Sequence, residues 1–346
     1  MKARYVFLTV GILLFVLACG VLATSTPEAA IPTTGATATG EVQISVTAKP
    51  SESGASATDT PVAADVNHIT RPSDTPPDGK PVFDVDSSGT APEKRAPYGD
   101  SYRINRFERP FLQDMGYVPN LDILSYSVSS DSDWYYVSIA LVGKELDNGP
   151  AIDYGVEIDL NSDGYGDTLI QAQPPYSTDW NTSDVRVYAD MNHDTGGLSA
   201  DRSDAPLTGD GYETLVFHGG PGDADPDLAW VRMDVGPSTQ IQFAFKKSLG
   251  ASKFMLGVLA DGGLKDVTKM DYNDRFTAAE AGSPVRDNPD YPLKSLFGLD
   301  NVCRTGVGFT LTGNEPQGCP VKAPPKACPA PPGCNVWDPV ACVCTG

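Results

Sequence analysis

Short stretches in which apolar and polar residues alternate recur along the middle of the chain, and they constrain its fold more than any other feature. A period of two places successive side chains on opposite faces of a β-strand. Helical periodicity is scarce, and the best helix candidate begins at Thr277, where Glu280 completes a capping box. The alternating sets are Tyr135, Val137, Ile139 and Leu141; Ala229, Val231 and Met233; Ile241, Phe243 and Phe245; and Phe254, Leu256 and Val258. Strands separated by Gly, Asp and Pro turns predict an all-β fold, an antiparallel β-sandwich of jelly-roll type with few short helices.

Composition divides the chain of 346 residues into four parts. Residues 1–18 have the basic start and the apolar run of a secretory signal peptide. Residues 19–97 are dominated by Thr, Ser, Ala, Pro and Gly and cannot bury enough apolar surface to fold, so we predict a disordered stalk. Residues 98–320 are long enough for one β-sandwich domain with a substantial core. Residues 321–346 form a small Cys-rich tail that would depend on disulfide bridges.

The signal peptide ends in Val16-Leu17-Ala18-Cys19, which resembles a bacterial lipobox. In a lipoprotein of this kind the cysteine, here Cys19, is acylated and becomes the mature N-terminus. Two or three acyl chains would then hold the protein firmly on a membrane. The alternative is an uncleaved membrane anchor that runs to about Leu22. In either case we expect the bulk of the chain to be extracytoplasmic and tethered at the cell surface.

The remaining six cysteines are confined to the C-terminal part of the chain. They are Cys303, Cys319, Cys328, Cys334, Cys342 and Cys344. An even, clustered set in an exported chain predicts three disulfides. We expect Cys303 to pair with Cys319 and the other four to pair among themselves. A zinc site is the alternative, but this group contains no histidine.

The most chemically specific segment is residues 159–167, Asp-Leu-Asn-Ser-Asp-Gly-Tyr-Gly-Asp. Close carboxylates repel one another by roughly 4 kcal/mol per pair at a surface-like dielectric. A hard divalent cation with six to eight oxygen ligands relieves that repulsion. Alternating residues bracket the segment, and Ile170 stands where an EF-hand has its last glutamate, so we predict a β-hairpin whose tip binds calcium. The alternative is a tight turn with no ion. The expected ligands are Asp159, Asn161, Asp163 and Asp167.

A weaker copy of this pattern follows at residues 190–197, again after an alternating stretch. Here a turn without an ion is favoured, and the alternative is a second calcium or ligands donated to the first. The candidate ligands are Asp190, Asn192 and Asp194. Asp194-Thr195-Gly196 also spells the aspartic-protease triplet, but that chemistry needs two such carboxylates that share a proton. The nearest second candidate, residues 86–89, contains an extra serine, so the protease interpretation is rejected.

Four stretches of the chain carry a resemblance to a known group of β-sandwich proteins. They are Asp122–Leu124, Ser132–Leu141, Tyr154–Asp159 and Ile241–Gly250. In this order they resemble strands of the DOMON-like superfamily, which includes family nine carbohydrate-binding modules. The resemblance implies a jelly-roll sandwich that binds sugars, or haem in some relatives, with structural calcium common among the sugar binders. Haem needs axial ligands such as histidine, and the domain offers only His193 and His218, so haem is disfavoured.

Sugars are held by aromatic faces that stack on pyranose rings and by planar polar side chains that hydrogen-bond to the hydroxyls. Suitable aromatic residues lie on the strand faces opposite the core sets and beside the calcium loop. The predicted carbohydrate-binding residues are Trp134, Tyr136, Tyr165, Trp180 and Trp230. The alternative is that Trp134 and Trp230 pack under loops or on a second layer of structure.

Charge and motifs exclude several classes of function. A formal net charge of −20 without a basic stripe disfavours a nucleic-acid partner. The sequence contains no nucleophile elbow, P-loop, zinc pair or dinucleotide fingerprint, so a non-catalytic role is favoured. We therefore expect a surface-tethered, calcium-binding β-sandwich lipoprotein that binds extracellular carbohydrate. The alternatives are an adhesive or envelope-structural protein that contacts other proteins, and a glycoside hydrolase, whose carboxylate pair the sequence does not single out.

Overall fold

The computed structural model describes one large part of the chain, with gaps. The described residues are 66–94, 96–97, 102–103, 106–144, 151–195, 211–236, 238–263, 265–269, 297–321, 337–338 and 343–344. The signal peptide, Cys19, most of the predicted stalk and the helix predicted at Thr277 lie outside them, as do Cys328, Cys334 and Cys342. Within the described ranges, no helix combines the length and the apolar character needed to cross a bilayer.

Antiparallel strands dominate the described residues, as the alternation predicts. In chain order they are β1 (Lys80–Phe83), β2 (Tyr102–Arg103), β3 (Arg106–Phe107), β4 (Ile123–Ser130), β5 (Trp134–Leu141), β6 (Asp153–Asp159), β7 (Thr168–Ala172), β8 (Val185–Ala189), β9 (Thr214–Phe217), β10 (Ala229–Val235), β11 (Thr239–Lys246), β12 (Phe254–Asp261), β13 (Leu299–Val307), β14 (Trp337–Asp338) and β15 (Val343–Cys344). The helical elements of the described part are three short 3-10 turns at Ala91–Glu93, Lys247–Leu249 and Val267–Lys269.

Two sheets form the β-sandwich. The first sheet has the strand order β1-β4-β5-β11-β10, and the second has the order β13-β12-β6-β7-β8-β9. Inward-facing side chains of both sheets form one core, to which Val137 and Phe243 contribute from the first sheet and Val156 and Leu256 from the second. Burial of each such side chain stabilises the fold by about 1.5–3 kcal/mol. Every residue of β6 and β12 is buried, so both the inner face and the outer face of the second sheet are covered at these strands.

The folded part begins earlier in the chain than the sequence boundary at residue 97 indicates. β1 pairs with β4, with Lys80 opposite Val128 and Phe83 opposite Ser125. Upstream of β1, the irregular residues 68–75 lie against the first sheet. The composition of this stretch is that of a stalk, but its contacts with distant parts of the chain place it in the domain. The predicted boundary between stalk and domain is therefore corrected towards the N-terminus.

A disulfide bond joins Cys303 to Cys319, which confirms the pairing expected from the sequence. The bond ties β13 to the segment that follows it. Disulfides form and persist in oxidising compartments, so this bond is typical of a protein that matures outside the cytosol. In the Cys-rich tail, the described residues are the two short strands β14 and β15, which pair with Trp337 opposite Cys344.

Candidate functional site

The segment predicted to bind calcium forms the tip of the hairpin between β6 and β7, where the sequence places it. Asp159 ends β6 and accepts hydrogen bonds from the backbone N–H groups of Ser162 at 2.6 Å and Gly164 at 3.1 Å. The loop turns through positive φ at both residues, 62° at Ser162 and 98° at Gly164. Asp167 accepts a hydrogen bond from the N–H of Leu160 at 2.6 Å and so closes the loop.

A buried arginine forms ion pairs with carboxylates at the start of this loop. Nη1 of Arg304 lies 2.9 Å from Oδ2 of Asp159, and its Nη2 lies 3.0 Å from Oε2 of Glu157. All three side chains are at most 3% exposed. One guanidinium thus pairs with two neighbouring carboxylates on the outer face of β6 and offsets part of their charge. At Asp159 it supplies the positive charge for which an ion was expected, and calcium binding at this loop stays a prediction.

The second predicted loop has the geometry of the first and lies beside it. Asp190 accepts hydrogen bonds from the N–H groups of His193 at 2.7 Å and Thr195 at 2.9 Å, which repeats the spacing seen after Asp159. His193 has a φ of 58°, and its Nδ1 lies 3.2 Å from Oδ1 of Asp167 in the first loop. The N–H of Gly166 donates to the carbonyl of Thr195 at 2.8 Å. The two copies therefore form one structural unit, although residues 196–197 lie outside the described part.

The candidate metal ligands of these two loops differ in exposure. Asp159 and Asp190 are buried, Asp167 and Asp194 are half-buried, and Asn161, Asp163 and Asn192 are exposed. The structure therefore brings the two sets together, with the most open oxygens at the outer rim of the paired loops.

A different group of carboxylates, which sequence analysis missed, is buried where β1 and β13 meet. It consists of Asp84 directly after β1, Glu108 directly after β3, and Asp300 within β13. One oxygen of each lies within 4.8 Å of the others, so the group could hold a metal ion. Glu108 is 1% exposed and Asp300 is 0% exposed. We call these three residues the buried acidic group.

The buried acidic group is electrostatically unfavourable as it stands. Oε1 of Glu108 and Oδ1 of Asp300 accept no hydrogen bond from any residue that the structure describes. Burial, reinforced by the neighbouring carboxylates, raises the pKa of Glu108 and of Asp300 well above the usual values. Next to them, burial raises the pKa of Asp122 to about 7. The other oxygen of Asp300, Oδ2, accepts a hydrogen bond from the N–H of Ile123 at 2.6 Å. Buried carboxylate oxygens without a partner are costly, and a cation would supply the coordination that the two unsatisfied oxygens lack.

The donor atoms of the buried acidic group indicate which metals it suits. All three residues offer carboxylate oxygens, and none offers an imidazole or a thiolate. Oxygen ligands suit hard cations such as calcium, magnesium and manganese, whereas zinc and copper prefer nitrogen and sulfur.

Four of the five predicted carbohydrate-binding residues lie together on the outer face of the first sheet. They are Trp134, Tyr136, Trp180 and Trp230, each at most 4% exposed. Ala244 of β11 is opposite Tyr136 on one side and Trp230 on the other, so the cluster crosses three strands. Tyr165 lies apart from them, in the loop between β6 and β7, where its carbonyl accepts a hydrogen bond from Arg304 at 3.5 Å. We call the four residues the aromatic cluster.

Residues 68–75, which we call the strap, cover the aromatic cluster. The ring of His68 lies 4.6 Å from that of Trp230. Ser73 donates its N–H to the hydroxyl of Tyr136 at 3.0 Å and accepts a hydrogen bond from Nε1 of Trp180 at 3.1 Å. Trp134 and Trp230 are each 3% exposed, so both pack beneath other parts of the chain, which is the alternative to their prediction as open carbohydrate-binding residues.

Sequence patterns contain a signal for one member of the buried acidic group. Asp300 is two residues before Val302, which faces the core, so the strand alternation already places a carboxylate on the inward face. Asp84 gives no such signal because it follows a Pro- and Asp-rich stretch that has the composition of a stalk.

No protein-family model, curated protein or solved structure matches this chain. The features of this structure that bear on function are the buried acidic group, the paired loops and the aromatic cluster.

Proposed function

We propose that this protein is an extracytoplasmic, lipid-anchored β-sandwich that binds calcium and extracellular carbohydrate. The buried acidic group carries the calcium part of the proposal. Two of its carboxylate oxygens, Oε1 of Glu108 and Oδ1 of Asp300, have no hydrogen-bond partner among the described residues. A bound cation accounts for this arrangement.

Calcium fits the buried acidic group better than magnesium does. Three carboxylates supply up to six oxygens, and calcium accepts six to eight in flexible geometry. Magnesium retains several waters and demands a nearly octahedral site, whereas carboxylates can bind calcium through one or both oxygens in a flexible geometry. The disulfide between Cys303 and Cys319 and the signal-like N-terminus support a location where calcium is plentiful.

The proposed ion is structural. It would join Asp84 after β1 to Asp300 in β13, and thus link the edge strands of the two sheets through their side chains. Because the ion binds the folded state and not the unfolded chain, its occupancy stabilises the protein by mass action.

Removal of calcium is expected to lower the melting temperature of the full chain by about 5–10 °C. At a calcium concentration 100 times the Kd, binding stabilises the folded state by about 2.7 kcal/mol. In a domain of about 200 residues, each kcal/mol changes the melting temperature by about 2–4 °C. Differential scanning calorimetry with a calcium chelator, followed by calcium addition, measures the effect. Glu108→Gln is expected to abolish the response and to raise the melting temperature of the chelated protein, because it removes one of the mutually repelling charges.

The same experiment separates the buried acidic group from the hairpin loop. Asp163→Asn alters an exposed loop carboxylate and is expected to leave the calcium response unchanged. A response lost in Asp163→Asn and kept in Glu108→Gln would move the ion to the loop. Identical melting temperatures with chelator and with calcium would contradict the calcium proposal at both places.

The aromatic cluster supports the carbohydrate part of the proposal. Beside it, the guanidinium of Arg232 lies 4.6 Å from the ring of Trp180, and its Nε donates to Oε1 of Gln242 at 2.7 Å. Aromatic rings next to planar polar side chains on the outer face of a sheet form the combination that holds sugar rings and their hydroxyls.

The full chain is expected to be retained on at least one member of a panel of insoluble polysaccharides, and Trp180→Ala is expected to lose most of that retention. Affinity electrophoresis or a pull-down measures it. Phe83→Ala is the matched control, because Phe83 is an exposed aromatic residue on a different strand, 68% accessible. Absence of retention across the panel would contradict carbohydrate binding. Unchanged retention in Trp180→Ala together with lost cell-to-cell contact would favour an adhesive protein instead.

A further inference from the structure

The aromatic cluster lies on a surface where large apolar side chains are not needed for the core. The core of the sandwich lies between the two sheets, whereas the cluster lies on the opposite, outer face of β5, β11 and β10. Polar and charged side chains extend the same face, since Arg232 and Gln242 are a cross-strand pair in the row next to Trp230 and Ala244. Without its cover, this face would present three tryptophans and a tyrosine beside a guanidinium and an amide.

The strap is attached to the domain by side chains and lies outside the sheets. None of its residues belongs to a strand. Its first half is held mainly by one carboxylate: Asp227 lies 2.8 Å from Nδ1 of His68 through Oδ1, and its Oδ2 accepts hydrogen bonds from the N–H groups of Ile69 at 2.8 Å and Thr70 at 2.7 Å. Asp227 is fully buried, and Ile69 is 80% exposed. Because the strap contributes no strand to either sheet, it can open without disrupting a β-ladder.

The second half of the strap binds the polar atoms of the aromatic cluster as a sugar would. The hydroxyl of Tyr136 accepts a hydrogen bond from the N–H of Ser73, and Nε1 of Trp180 donates a hydrogen bond to the carbonyl of Ser73. Nη2 of Arg232 donates to the carbonyl of Asp74 at 3.0 Å. A hydroxyl group both donates and accepts, so the hydroxyls of one or two sugar units can replace each of these backbone groups.

The strap leaves one polar group of the cluster unsatisfied. Nε1 of Trp230 is buried and donates to no acceptor among the described residues, while the ring of His68 lies over the same tryptophan. Trp230 itself is 3% exposed. A buried donor without an acceptor is unfavourable, and a ligand with hydroxyl oxygens would relieve it. The fit between strap and cluster is therefore incomplete at the place where a ligand oxygen would bind.

We propose that the outer face of β5, β11 and β10 is a carbohydrate-binding site that the strap occupies as an internal ligand, and that a polysaccharide binds by displacing the strap. The proposal rests on the carbohydrate binding proposed above and specifies its site. Apparent affinity then equals the intrinsic affinity reduced by the fraction of molecules whose strap is open. If the strap competes with the polysaccharide, loosening the strap should strengthen binding. If the strap only completes the fold, loosening it should not strengthen binding.

The test compares full-length variants with hydroxyethyl cellulose, xylan and laminarin as probes. Asp227→Ala removes the attachment of the first half of the strap and leaves every side chain of the aromatic cluster in place. It is expected to lower the apparent Kd for a bound polysaccharide at least tenfold and to increase acrylamide quenching of tryptophan fluorescence. Asp223→Ala is the matched control, because Asp223 is in the same loop and hydrogen-bonds to His218 instead of the strap. Its Kd and quenching should equal those of the unmodified protein.

A second variant protects the test against misfolding of Asp227→Ala. His68→Ala combined with Thr70→Ala weakens the same attachment from the strap side and should also lower the Kd. In the Asp227→Ala background, Trp180→Ala should abolish the gained binding. If a polysaccharide binds but neither loosened variant lowers the Kd, or if binding survives Trp180→Ala, the strap proposal is overturned and carbohydrate binding stands elsewhere. If quenching shows that the strap has opened and no probe binds any variant, both proposals are overturned.

Discussion

An Arg304→Met variant is expected to lose about 3–5 kcal/mol of its free energy of unfolding. Arg304 is 1% exposed and pairs with Glu157 and Asp159, which are equally buried. Removal of the guanidinium leaves two neighbouring carboxylates in a low-dielectric environment without a counter-charge. The size of the effect comes from the cost of keeping these unpaired charges buried and not from the loss of the ion pair itself. Urea denaturation at neutral pH, with and without calcium, measures the change.

Two further variants test the reasoning about Arg304. Arg186→Met removes a guanidinium that donates hydrogen bonds to the carbonyls of Ser183 and Val185, so it should cost well under 1 kcal/mol. Combining Arg304→Met with Asp159→Asn should recover part of the loss, since neighbouring charges are coupled energetically. A loss below about 1 kcal/mol in Arg304→Met would show that another cation, such as calcium in the loop, compensates for it.

Replacing both Cys303 and Cys319 by serine is expected to cost about 3 kcal/mol, the value for a loop of about 15 residues closed by a disulfide. The two cysteines are 16 residues apart. Unfolding of the double variant should begin locally, because the bond holds the segment in which Gln317 donates a hydrogen bond to the carbonyl of Gly164 at 3.0 Å. Hydrogen exchange at residues 315–319 measures this local opening, and urea denaturation measures the change in the free energy of unfolding.

The rest of the Cys-rich tail requires a control for the disulfide prediction. A reducing agent should destabilise the unmodified protein by at least as much as the double serine variant is destabilised, because it also opens any bridges in the tail. The double variant should then show only the remaining part of that effect. Equal stability of the double variant and the unmodified protein, both without reductant, would refute the contribution assigned to this bond.

Alternation in the sequence predicted the sandwich because its signal is local. In β5 and β11, apolar side chains such as Val137 and Phe243 face the core, and their neighbours face outwards. The period of two therefore states directly which residues form the interior. The pairing of Cys303 with Cys319 was expected and is confirmed, although six cysteines allow 15 connectivities and the sequence alone does not select one.

The counter-charges in this structure were not predictable, because they come from distant parts of the chain. Asp159 looked like an exposed ligand at a hairpin tip, but Arg304, 145 residues later, reaches it beneath the loop. Nothing near Asp159 in the sequence announces that arginine. The buried acidic group was not predictable as a group either, since its three members come from three separate segments of the chain.

The aromatic cluster was predicted as a set, but its exposure was not. The alternation correctly placed Trp134 and Tyr136 on the face opposite Val137, where both lie. The strap, which contacts Tyr136, Trp180 and Trp230, belongs to a stretch rich in Pro, Ser, Thr and Asp that carries no periodic signal of its own. Backbone N–H groups of the strap donate hydrogen bonds to the distant carboxylate of Asp227, and local sequence patterns do not encode contacts of that kind.

The edge strands β1 and β13 have a consequence for crowded copies of this molecule. An edge strand with free N–H and C=O groups is a template for sheet growth between molecules. Here β1 has only four residues, one of them Pro81, which lacks an N–H. Bridges to Arg109 and Gly318 engage β13 near its start and its middle. On this side of the sandwich, neighbouring molecules therefore find no long open ladder to extend, which opposes fibrous aggregation at high local concentration.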